Sequence, residues 1–278
     1  MNRICRTYTL YIIAAIFCCS AFSCKKLIEI PANPTDRIST AQAFGDSTNV
    51  LSVLAGIYNE FGIVDQSQAP GFLNGAMTIF PGLTSDELIY RGVDLFPYMN
   101  PYYINSLLPA DGYLNYHWQS AYKIIYYINV SLESIAVSKG ISEGFRQRTT
   151  GELKTLRAFT YFNLVNLFGG VPLITGTDFR KNTTLPRSTE DETYALILSD
   201  LEDATTVLVP EYPSAGHARP NIYVAKALLA KVYLYRGNWE KAAELSGEVI
   251  DPGMYLLEAD LNNVFLAGSL YGDRKSVV

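Results

Sequence analysis

Residues 151–173 read GELKTLRAFTYFNLVNLFGGVPL. At helical spacing Leu153, Leu156, Leu164 and Leu167 fall on one face, and Ala158, Phe162 and Val165 fall on another. A helix that is apolar on two sides has to be covered on two sides, so 151–168 predicts a central helix flanked by other helices. Gly169-Gly170 supplies its stop, because glycine adopts the left-handed backbone without a Cβ clash, and Val171-Pro172 leaves as an extended segment. Arg157, a cation on an otherwise apolar helix, is read as the partner of a carboxylate rather than a ligand contact.

The same periodicity extends outward in both directions. Upstream, Trp118, Tyr122, Ile125, Asn129, Leu132 and Ile135 form one stripe and predict a helix over 115–138 that Gly140 can end. Earlier still, Ser39 or Thr40 can cap a first helix carrying Phe44 and, after an interruption at 45–47, Val50, Leu54, Ile57, Tyr58 and Phe61. Downstream, Thr189 with Glu192, or Ser188 with Asp191, has the spacing of a capping box, and Tyr194, Ile197, Leu198, Leu201 and Leu208 line the buried face that follows. Two more helices, 221–235 and 238–250, are joined by Arg236-Gly237.

That last pair, ALLAKVYLYRGNWEKAA at 227–243 followed by Asp251-Pro252, resembles a tetratricopeptide repeat. Small alanines let two helices approach, Gly237 makes the turn and Pro252 prevents continuation. One such hairpin cannot bury its own apolar face, so several must stack. The expected fold is all-α: tetratricopeptide-like helical hairpins in a partial α-solenoid, with long aromatic-rich loops. Trp118 and Trp239, on helical apolar stripes, are expected in the core.

Composition narrows the function. Of 278 residues 49% are hydrophobic and 18% charged, which suits a packed globular chain and excludes disorder. Lys and Arg number 22 against 27 Asp and Glu with no long run of like charge, so the electrostatic footprint of a nucleic-acid binder is missing. All four cysteines lie in the first 24 residues, where Arg3 and Arg6 precede the uncharged apolar run 10–22. That run is shorter than the roughly 20 residues a spanning helix needs, and it reads as a secretory signal peptide over 1–23. Ala21-Phe22-Ser23-Cys24 looks like a relaxed lipobox, with Cys24 as the acylated new N-terminus; an ordinary signal cleaved nearby, leaving Cys24 a free thiol, is the alternative. Residues 25–34, with Pro31 and Pro34, form a short extended tether.

Residues 61–118 are rich in aromatics, poor in charge and without sustained helical period until Tyr113, which predicts a long ordered loop region. Within it, Tyr90, Phe96, Tyr98, Tyr102 and Tyr103 interleave with Arg91, Asp94, Asn100 and Asn105. A flat ring covers the C–H face of a sugar while guanidinium, carboxylate and amide groups bond its hydroxyl rim, so Tyr90, Arg91, Asp94, Tyr98, Asn100, Tyr102 and Tyr103 are the candidate ligand-binding set. The competing reading is that these rings pack the loop onto the helices. On the binding reading, replacing Tyr98 and Tyr102 by alanine abolishes ligand binding and leaves thermal unfolding nearly unchanged. His117 and His217 are the only histidines and have no metal-ligand spacing, while Asp86 and Glu87 are read as turn or capping residues. No catalytic residue, metal site or cofactor is assigned, and an enzyme is not expected.

The 151–173 segment looks like the signature helix of the SusD/RagB family of Bacteroidetes outer-membrane lipoproteins, supported in order by Cys24 with its tether, 118–129, 186–208 and 225–250. The resemblance runs from about Cys24 to Leu270. It implies a lipid-anchored, surface-exposed outer-membrane protein that binds glycans or other oligomeric nutrients, an oligosaccharide or peptide, and delivers them to a SusC-like TonB-dependent transporter. Family members are usually much longer, with part of the ligand site in a C-terminal half. Residues 24–271 are accordingly read as the N-terminal helical domain, and 272–278 as a non-native tail resembling translated adapter sequence, a short polar native tail being the alternative. A lipid-anchored tetratricopeptide-type scaffold holding another protein is the second functional reading.

Overall fold

The computed structural model describes residues 38–62, 70–91 and 95–257. The chain divides into two units, Met1–Thr40 and Ala41–Val278, and only residues 38–40 of the first are described. The expected leader, Cys24, the tether and the 272–278 tail lie outside the described residues.

In the second unit the helices of eight residues or more among the described residues are α1 (Ser47–Gly62), α2 (Met77–Thr84), α3 (Gly112–Val137), α4 (Glu143–Phe168), α5 (Glu190–Val207), α6 (Ile222–Tyr235) and α7 (Trp239–Ile250). As the 151–173 pattern requires, α4 is central. It packs on α3 along one side and α5 along the other, α6 packs on α5, and α7 returns along α6. Leu153, Ala158, Tyr161 and Leu164 of α4 are fully buried, facing Ile125 and Ile128 of α3 on one side and Ile197 and Leu201 of α5 on the other. Each such aliphatic or aromatic side chain contributes about 1.5–3 kcal/mol by leaving water.

Helix starts are set by local side chains. Asp111 Oδ1 accepts from the amides of Tyr113 (2.9 Å) and Leu114 (3.1 Å), which begins α3 three residues ahead of the expected start at 115. Ser142 Oγ caps α4, whose first two turns, 143–150, carry only Phe145 as an apolar residue and lie ahead of the expected 151 start. The capping box of α5 forms as read: Thr189 N donates to Glu192 Oε2 (2.7 Å) and Glu192 N to Thr189 Oγ1 (3.1 Å). Hydrogen bonds from the Thr189 backbone and side chain hold the Glu192 carboxyl below its usual pKa. Asn221 and Asn238 cap α6 and α7.

At the junction of α4 and α5 two glycines are required by close approach. A Cβ on Gly151 would lie 2.6 Å from Val207 Cγ2, so its absence lets the end of α5 settle on α4. A Cβ on Gly170 would lie 2.1 Å from the Ser188 carbonyl oxygen, which fixes the chain leaving α4 against the chain entering α5. Gly169, at φ +67°, makes the stop between them.

A buried polar network threads this core. Arg157 donates to both carboxylate oxygens of Asp200 on α5 (Nε 2.7 Å, NH2 2.8 Å) and to Asn129 Oδ1 on α3 (2.8 Å). Asn129 Nδ2 in turn donates to the Ile174 carbonyl (2.8 Å), and Tyr161 accepts from Ile174 N (2.8 Å), so the extended exit segment is pinned to α3 and α4. Arg157 thus meets the carboxylate its sequence position called for.

Two expectations are corrected. The 61–118 region is not one loop: it holds a wide helical turn at Phe72–Ala76, α2, a 3-10 turn at Pro97–Met99 and a helical turn at Asn100–Tyr103. Gly75 (φ +76°) kinks the first of these and Pro81 sits inside α2, so residues that ordinarily punctuate loops lie here within short, buried helices. Trp118 is partly buried against the main core, but Trp239 is 67% exposed, because among the described residues α7 packs chiefly along the side that meets α6.

Candidate functional site

The short helical pieces between α1 and α3 build an aromatic layer of their own. Phe80 of α2 is its centre, with ring centroids at 4.3 Å from Tyr102 and 4.8 Å from His117 of α3. Tyr98 stacks on Tyr113 at 4.5 Å and 29°, and Phe96 meets Tyr98 edge-on at 6.1 Å. On the outer side Tyr90 and Tyr103 form an edge-on pair at 6.4 Å. The Tyr90 hydroxyl donates to the Phe96 carbonyl (2.5 Å), tying the two ends of the 90–96 stretch together. Asp86 adopts φ +62° in a left-handed turn after α2, the structural role expected for it.

The candidate residues separate by depth. Tyr98 and Tyr102 are buried, at 7% and 3% exposure, so they do not present flat faces as expected; they pack the segment onto α2 and α3. Tyr90, Asn100 and Tyr103 are half-buried and Arg91 is exposed. Asp94 lies outside the described residues. The exposed apolar side chains Ile89, Leu95, Ile104 and Leu108 surround the Tyr90–Tyr103 pair in the sequence. The Tyr102 hydroxyl is buried and makes no hydrogen bond among the described residues; burial, then the charge of Asp111, pushes its pKa well up. No group of three or more His, Cys, Asp or Glu among the described residues is placed to hold a metal ion.

Two concavities went unread in the sequence. An apolar groove of about 900 Å³ runs between α6 and α7, lined by Leu234, Trp239, Ala242, Val249 and Ile250 among others. A smaller cavity of about 350 Å³ lies where α4 begins, against the 208–220 connection. Arg148, Glu152, Glu211, Tyr212 and Arg219 supply its polar lining. Pro210, Pro213 and Pro220 in so short a connection, with Tyr212 and His217, were the available signal of an ordered loop. Glu152 is itself satisfied: both its oxygens accept from Arg219 (2.8 and 2.5 Å), and Oε1 also accepts from Tyr58 (2.6 Å).

Helical hairpins stacked side by side, with an aromatic layer carried on the first of them, define a tetratricopeptide-like class of α protein. A family model described as SusD-like, "Starch-binding associating with outer membrane", matches residues 96–234, and the chain belongs to the SusD-like family. Among curated relatives, SusD-like protein P25 of Formosa agariphila is 24% identical over 264 residues, 91% of this chain and 48% of the relative. A SusD-like protein from Bacteroides fragilis NCTC 9343 superposes with a TM-score of 0.64 at 28% identity, over 77% of this chain and 40% of that one. A laminarin binding SusD-like protein superposes with a TM-score of 0.64 at 27% identity, over 78% of this chain and 46% of that one. The chain spans about half the length, or somewhat less, of the relatives it matches.

Proposed function

We propose that this chain is the helical, N-terminal part of a cell-surface lipoprotein that binds glycans and delivers them to a SusC-like TonB-dependent transporter, with no bond made or broken in the ligand. The observation that carries the reading is the aromatic layer: its inner rings, Tyr98 and Tyr102, pack in one cluster with an outer pair, Tyr90 and Tyr103, and the exposed Arg91 follows Tyr90 in the chain. Half-buried rings offer an apolar face and a guanidinium offers hydroxyl-bonding donors, which is the division of labour a sugar needs. The similarity to a laminarin binding protein supports a carbohydrate over a peptide. Acylation of Cys24 would hold the protein at the outer membrane; no helix among the described residues is long and apolar enough to cross one.

Calorimetric titration with laminarin and starch oligosaccharides tests the binding. Measurable affinity for a glycan, reduced roughly tenfold or more by Arg91→Ala with Tyr103→Ala, is the expected result, equivalent to about 1.4 kcal/mol. Absence of binding to any oligosaccharide overturns it. Co-purification with a TonB-dependent transporter, lost on Cys24→Ser, tests the delivery role. The apolar groove between α6 and α7, with Trp239 exposed on it, is the one observation that favours the second reading, a scaffold for a protein partner.

A further inference from the structure

We propose that the cavity where α4 begins is a second carbohydrate subsite, separate from the aromatic layer, that takes one neutral pyranose unit; the assignment rests on the glycan-binding reading above. Its volume, about 350 Å³, falls at the lower end of ligand pockets, which run from roughly 300 to 1,000 Å³, and matches a small ligand rather than a chain of many units. The walls are apolar, with Leu51, Phe145 and Pro213 among them, and suit a C–H face.

The polar groups decide the ligand class. Arg148 and Glu211 border the cavity, both are exposed, and neither has a hydrogen bond or ion pair among the described residues. One offers only donors and the other only acceptors, and with the Glu152–Arg219 pair the four charges sum to zero. A sugar hydroxyl donates and accepts, so a neutral polyol satisfies both ends. A carboxylate or phosphate would match Arg148 but meet Glu211 with like charge.

Around the two exposed charges, Arg219 and the loop backbone are held in place. Arg219 is locked by its paired bonds to Glu152, which Tyr58 fixes in turn. The loop above is held by Ile222 N to the Val209 carbonyl (3.1 Å), by Asn221 Nδ2 to the Pro210 carbonyl (2.9 Å), and by a 2.7 Å bond between the Tyr212 and Tyr255 hydroxyls. The Tyr212 ring stacks on His217 at 4.0 Å and 16°. Walls already fixed in the free protein lose little entropy when a ligand arrives.

The test is chemical-shift mapping of the isotope-labelled full chain titrated with methyl β-D-glucopyranoside, with glucuronate as the charged comparison. Shifts at 145–152 and 208–220, distinct from those at 90–103, are expected. Arg148→Ala with Glu211→Gln should weaken the first set roughly tenfold or more, leaving the second set and the melting temperature unchanged. Tyr103→Ala should do the reverse. Shifts confined to 90–103, indifference of the 145–220 shifts to Arg148→Ala with Glu211→Gln, or a preference for glucuronate would overturn this subsite alone. No shifts anywhere with the neutral sugar would also overturn the subsite, while the glycan reading falls only if the oligosaccharide titration fails as well.

Discussion

At the residue scale, the two tyrosines that the sequence offered as ligand platforms are structural, and their substitutions report it. Tyr98→Ala or Tyr102→Ala removes a buried ring from around Phe80, at a cost of about 3–5 kcal/mol, measurable by urea denaturation. Tyr102→Phe is expected to be neutral or to stabilise by about 1 kcal/mol, because it removes a buried hydroxyl that bonds nothing among the described residues. The contrast between the two substitutions at one position separates ring packing from the hydroxyl. Arg157 behaves oppositely. Arg157→Ala strands Asp200, 2% exposed, without its cation, and about 3–5 kcal/mol is expected to be lost in the same measurement. That Arg157 needs a carboxylate was legible in its apolar surroundings. That the carboxylate is Asp200, 43 residues away, was not, since sequence pattern carries no information on which element lies beside which. Arg219 and Glu152, 67 residues apart, were invisible for the same reason.

At the scale of the element, long helices with one or two apolar stripes were readable and short ones were not. The stripes of α3, α4 and α5 predicted their existence and order, and errors fell at the N-terminal ends, where Asp111 and Ser142 cap each helix ahead of its periodic stripe. The Phe72–Thr84 stretch escaped because its helicity is imposed by burial of Phe72, Ala76 and Phe80 against local propensity at Gly75 and Pro81. Hence the aromatic segment was legible as a cluster while the depth of each ring was not. The junction of α4 and α5 gives a sharp test. Gly170→Ala places a methyl against the Ser188 carbonyl, backbone that cannot rotate aside, and should cost about 1–3 kcal/mol or more; Gly151→Ala presses on the movable Val207 side chain and should cost less. Thermal denaturation of the two variants ranks them.

For the whole molecule, charge state and cooperativity are the quantities that matter. Burial holds the hydroxyls of Tyr58, Tyr122 and Tyr161 protonated well above the usual tyrosine range, and a hydrogen bond to Glu202 pushes Tyr233 up to about 12. Unfolded tyrosines ionise near 10. The fold therefore binds more protons than the unfolded chain above that value, and the stability these groups contribute is complete below about pH 10 and lost progressively as pH rises toward about 12 and beyond. Absorbance at 295 nm should show tyrosine ionisation lagging that of the denatured chain, then completing in one step as the protein unfolds. Ionisation that tracks the denatured chain throughout would contradict these burials.

One guanidinium, that of Arg157, clasps α4 to both of its neighbours and, through Asn129, to the strand-like exit as well. Those four pieces therefore cannot loosen one at a time: backbone amides across them should swap their hydrogens for deuterium at a common, slowest rate, while α7, which among the described residues packs chiefly on α6, exchanges sooner. An indivisible middle of this kind would let the helices outside it vary among kin without endangering the rest.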